Sequence, residues 1–88
     1  MTKTEFNDLY DSLCYGHDAE LTVTGNRVFV EWNDGKIEIF HIVNNEGHMI
    51  FEVFAENRLD TVKELFNTCI FGKTLNDNYN EIEILDIE

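Results

Sequence analysis

The apolar residues follow two rhythms. Phe6, Leu9, Tyr10, Leu13 and Cys14 recur at i, i+3, i+4, i+7 and i+8, which predicts an opening helix with one apolar face. Thr2 and Glu5 have the spacing of a capping box at its start, and Gly16 suits the residue just past its end. Its opposite face carries Glu5, Asp8 and Asp11.

The rhythm then changes to alternation, the mark of half-buried strands. Ala19 to Thr24 sets Leu21 and Val23 against Glu20, Thr22 and Thr24. Gly25-Asn26 fits a two-residue hairpin turn. Arg27 to Trp32 puts Val28, Val30 and Trp32 on one face. Asn33-Asp34-Gly35-Lys36 holds Asp-Gly, a strong type I′ signal. In Ile37 to Val43 one face takes Ile37, Ile39, His41 and Val43. Asn45-Glu46-Gly47 fits a three-residue loop with glycine in the left-handed conformation. His48 to Ala55 then offers Met49, Phe51, Val53 and Ala55 to one side.

A second helix is expected from the N-cap Asn57, with Asp60 in its first turn. Leu59, Val62, Leu65, Phe66, Cys69 and Ile70 form its stripe, and Gly72 ends it. Thr74 to Asn80 reads as a turn. Glu81 to Ile87 reads as a final strand whose alternation slips at Ile84-Leu85, which predicts a bulge or a frayed end.

The order is α-β-β-β-β-α-β. It implies an α+β fold: an antiparallel four-stranded meander with both helices on one face. The length suits a single domain over residues 1–88. The expected core is Phe6, Leu9, Leu13, Leu21, Val23, Val28, Val30, Trp32, Ile37, Ile39, Phe51, Val53, Val62, Leu65, Phe66 and Ile70.

Turn register also positions the polar residues. Across Gly25-Asn26, Glu20 falls opposite Glu31; across Asp34-Gly35, Glu31 falls opposite Glu38. The three-residue loop places Glu52 opposite Phe40. A lateral row Glu20–Glu31–Glu38 is therefore expected on the outer face, among Phe29, Phe40, Ile42, Ile50 and Phe54. Opposed like charges destabilise a sheet, and exposed aromatics mark contact surfaces. The alternative is a solvated outer face whose glutamates splay into water, with the phenylalanines covered by the last strand or by a dimer partner.

Composition turns this row into an argument about partners. The chain has 18 acidic residues against 6 Lys plus Arg, a formal net charge of −12, with 43% apolar residues. Solubility needs a magnitude of only about 2 to 8 in a small domain. Nucleic acid and anionic membranes would be repelled, and a basic protein is the favoured partner. No base lies between Lys36 and Arg58 or after Lys73, where Glu81 and Glu83 share one face of the expected last strand.

Other chemistry is thin. His17, His41 and His48 make no zinc spacing, and no P-loop, EF-hand loop or dinucleotide motif occurs. Ser12 is the only serine and sits on a helix. No enzyme activity, metal or cofactor is expected. Cys14 and Cys69, each on a helical stripe, read as buried thiols of a reducing cytosol, with a disulfide between the helices as the alternative. No secretory or membrane-spanning segment is read.

The chain resembles the small acidic phage proteins that inhibit bacterial RNA-guided nucleases, and is most similar in layout to type II anti-CRISPR proteins. The resemblance runs through Asn7-Asp8-Leu9, Glu20 to Gly25, the Asn33-Asp34-Gly35 hairpin, Asp60 to Phe71 and the acidic stretch Glu81 to Glu88. It implies a nucleic-acid mimic. Acidic residues would fill the cleft that reads DNA, and Asn33, Asp34 and Gly35 would form a hairpin entering a nuclease site. Lys36 departs from that pattern, as does a strand where the family has an acidic helix. The alternatives are an immunity protein neutralising a basic toxin and a small assembly module that forms a homodimer through Phe29, Phe40 and Phe54.

Overall fold

The computed structural model describes all 88 residues. Helix α1 spans Lys3–Cys14 and closes its first turn with the Thr2–Glu5 capping box. Gly16 follows it at φ +91°, as a residue beyond a helix end must when the chain reverses sharply. Strands β1 (Ala19–Val23), β2 (Asn26–Asn33), β3 (Lys36–Val43) and β4 (Glu46–Val53) form the meander. Helix α2 spans Arg58–Phe66, with Asn57 accepting from the Asp60 backbone N–H. Two short strands, β5 (Cys69–Ile70) and β6 (Lys73–Thr74), make a separate hairpin. A 3₁₀ turn at Tyr79–Glu81 leads into β7 (Ile82–Ile87).

The fold is α+β, and the main antiparallel sheet has five strands in the order β4-β3-β2-β1-β7. The last strand extends the meander by pairing with β1. Leu21 opposes Ile84 while Glu20 opposes Asp86, so Leu85 is the extra residue of a bulge, at the expected slip. The other edge strand, β4, has a second irregularity opposite Ile39 and Phe40. Bulges twist an edge away from further pairing, so this proline-free chain has another way to protect both edges.

One core lies between the helices and the sheet. Phe6, Leu9 and Leu13 of α1 and Val62, Leu65 and Phe66 of α2 bury against Leu21, Val23, Val28, Val30, Ile37, Ile39 and Val53. Phe6 and Tyr10 meet the Phe66 ring at 5.3 and 4.9 Å between centroids. Ala19, Leu75 and Ile82 complete the core. Two polar residues are buried inside it with their bonds made. Thr61 Oγ1 donates to Asn57 O and accepts from Ala55 N, and Asn78 Nδ2 donates to Thr24 Oγ1.

Several expectations change. The second helix stops at Phe66 rather than running to Ile70, because the chain turns into the β5–β6 hairpin. Cys69 is consequently exposed, Cys14 is half-buried, and both are free thiols. Leu59 is exposed as well. The polar stretch after Gly72 contains β6 and the 3₁₀ turn, and the last strand starts at Ile82. Phe51 is 37% exposed on β4, an edge strand with a sheet neighbour on one side only. Trp32 is half-buried at the end of α1, where its indole N–H donates to Leu13 O at 3.0 Å. Its backbone N–H donates to Asp18 Oδ1.

Candidate protein-binding face

The outer face is organised by three two-residue turns. Asp34-Gly35 behaves as expected, with both residues at positive φ and Asn33 opposite Lys36. The first turn falls on Thr24-Gly25, not Gly25-Asn26, and Val23 opposes Asn26. The third falls on Asn44-Asn45, both at positive φ, instead of the Asn45-Glu46-Gly47 loop.

These turns redraw the carboxylate row. Glu31 opposes Glu38, as expected, but Glu20 opposes Phe29 and not Glu31. Glu52 opposes Glu38 and not Phe40. The row is therefore Glu31–Glu38–Glu52, across β2, β3 and β4, with neighbours about 4.5–5.5 Å apart at Cβ. One cation serves it: Lys36 Nζ lies 3.4 Å from Glu52 Oε1. Asn33 Nδ2 donates to Glu38 Oε1 at 3.1 Å. Glu20 is withdrawn from display by Arg27, whose guanidinium Nε donates to its carboxylate and whose charge lies over the Phe29 ring.

Beside this row runs an apolar one, Phe29–Phe40–Met49, again one residue per strand. Phe29 and Phe40 are half-buried and Met49 is 53% exposed. The β4 irregularity turns Met49 outward, whereas simple alternation had set it beside Phe51 and Val53. It also packs Ile50, expected outside, against the core. Phe40, Ile42 and Gly47 floor a shallow trough of about 330 Å³ bounded by Arg27 and Glu31. A Cβ on Gly47 would sit 3.4 Å from Ile42 Cδ1 and 3.6 Å from Phe40 Cβ, so the missing side chain is part of the opening.

The other expected site residues lie apart. Asn33, Asp34 and Gly35 form an exposed hairpin tip. Phe54 follows the end of β4 and lines a cleft with Gly16, Trp32, Gly35 and Arg58, away from the trough. Glu81 belongs to the 3₁₀ turn and not to the strand, so it does not alternate with Glu83, which opposes Thr22. Both border a groove beside Glu5 at the β7 edge.

No group of three His, Cys, Asp or Glu side chains is placed to hold a metal ion. His41 packs edge-on to Phe71 at 4.9 Å, and His48 lies 3.9 Å from Glu46. No helix is long and apolar enough to cross a membrane. No protein-family model, curated protein or solved structure matches the chain. Met49 and Gly47 are the members that alternation could not reveal, since their place depends on the third turn and the β4 irregularity.

Proposed function

We propose that this protein is an acidic decoy. It binds the basic nucleic-acid-binding cleft of another protein, a bacterial defence nuclease in the anti-CRISPR manner, and so keeps nucleic acid out. The observation that carries this reading is the Glu31–Glu38–Glu52 row. Like charges directly opposed cost a sheet stability. A central lysine would remove that cost. The row becomes favourable when a cationic surface covers it, because Glu31 and Glu38, which have no cation of their own, then gain one and the repulsion falls. A net charge of −12 adds long-range attraction, which speeds association with a basic partner and weakens with salt. The exposed Asn33-Asp34-Gly35 tip projects beyond the row and suits entry into a cleft. Chemistry on a substrate is no part of this role, and no cofactor is needed.

The test is affinity capture from a bacterial lysate over a salt series. The expected result is retention of a basic nucleic-acid-binding protein at low salt, its release as salt rises, and its competition by DNA or RNA. Capture that is indifferent to salt and to added nucleic acid sinks the reading.

A further inference from the structure

We infer that the outer sheet face receives an amphipathic α-helix of the partner, basic along one flank only, lying across the strands. This rests on the decoy reading and specifies the partner element. Two parallel rows on the face support it. The carboxylates Glu31–Glu38–Glu52 and the apolar side chains Phe29–Phe40–Met49 each take one residue from β2, β3 and β4. Adjacent strands are about 4.8 Å apart, so each row spans about 10 Å, and the two rows lie about 7 Å apart along the strands. A helix laid along the rows offers side chains at i, i+4 and i+7, a span of about 10.5 Å. Its diameter, about 10–12 Å, covers both rows. Cations on one stripe would meet the carboxylates while apolar residues on the next stripe met Phe29, Phe40 and Met49.

An extended strand laid along the rows fits less well, because its side chains on one face repeat about every 7 Å against a row spacing of about 4.8 Å. Arg27 restricts the polarity further. It closes the far side of the trough and its charge is held there by Glu20. A helix with cations on both flanks would place one set against that guanidinium. The open floor at Gly47 leaves room for a large apolar side chain beside Phe40 and Ile42. Met49, unbranched and 53% exposed, can adapt to it.

The test uses two synthetic peptides of about 18 residues, long enough to be helical. One carries Lys on a single flank at i, i+4 and i+7 with Leu on the adjacent stripe. The other has the same composition with Lys on both flanks. Each is titrated into the 15N-labelled protein at low salt. We expect the one-flank peptide to bind at least tenfold more tightly, with amide shifts centred on Phe29, Glu31, Glu38, Phe40 and Met49. Gly47→Gln and Met49→Thr, which leave every carboxylate in place, should each weaken it several-fold with unchanged melting temperature. Equal affinity of the two peptides, or shifts centred on the helices, overturns the helix inference and leaves the decoy reading standing. Failure of both peptides to bind also overturns the helix inference, whereas the decoy reading stands or falls with the salt-series capture.

Discussion

Single side chains show how little separates a conventional residue from a structural one here. Cys14 and Cys69 looked alike in sequence, each on a helical stripe, yet only Cys14 packs against the core. Burial, helped by Asp11, pushes the Cys14 thiol pKa up, so less of it is thiolate, and the thiolate is the nucleophile. Cys69 should therefore react first with iodoacetamide at pH 8, by at least several-fold, as peptide mass spectrometry would read. Equal labelling would place Cys14 at the surface.

Glu5 is a second case. Backbone and side-chain hydrogen bonds with Thr2 hold its carboxyl below the usual value of 4.5. A lowered folded pKa contributes stability above the unfolded value, and that contribution is lost as pH falls through the folded one. Glu5→Gln should thus be less stable than the parent at pH 7, with the gap narrowing as pH falls below 4.5, as urea midpoints measure. Thr2→Ala removes the cap and should cost about 1 kcal/mol at neutral pH. For a domain of this size that lowers the melting temperature by about 4–8 °C.

Among the elements, register was the quantity least legible in the sequence. Alternation has a period of two, so it cannot distinguish pairings that differ by two residues. With the turn on Gly25-Asn26 or on Thr24-Gly25, Leu21, Val23, Val28 and Val30 all point inward. Contacts distant in sequence support the second choice. The Thr24 hydroxyl accepts from buried Asn78, and the Thr24 N–H donates to Glu81 O. A β-branched residue is thus held at φ +51°. That shift removed Glu20 from the carboxylate row, while the Asn44-Asn45 turn and the β4 irregularity brought Glu52 into it. Glu38→Lys tests the row directly. It converts two repulsive oppositions into attractive ones, each worth about 0.2–1 kcal/mol, so the melting temperature should rise. Partner binding should fall by at least tenfold in the same variant. A variant that melts higher and still binds would show that the row is only solvated charge.

For the whole molecule, charge works in opposite directions on folding and on binding. With 18 acidic residues, 6 basic ones and only a few ion pairs, the folded chain repels itself. Salt screens exposed charges beyond about 10 Å at 0.1 M. Raising NaCl from 20 to 500 mM should therefore raise the melting temperature while weakening capture of the partner. Calorimetry and pull-down over one salt series would measure both. A melting temperature that falls with salt would mean attractive pairs dominate the fold.

Local rules carried much of the structure. The capping box at Thr2, the Asp34-Gly35 turn, the Asn57 cap, the bulge at Leu85 and most of the inward-facing core could be read from neighbouring residues, because caps, turns and periodicity are short-range chemistry. The sequence by itself thus determined the element order, the α+β class, the buried face and the surplus of negative charge. Tertiary structure decided which residues stand side by side. Pairing of β7 with β1, the choice among adjacent turn residues and the irregularity in β4 depend on partners distant along the chain. They alone put Glu52 beside Glu38, Met49 beside Phe40, and Arg27 against Glu20.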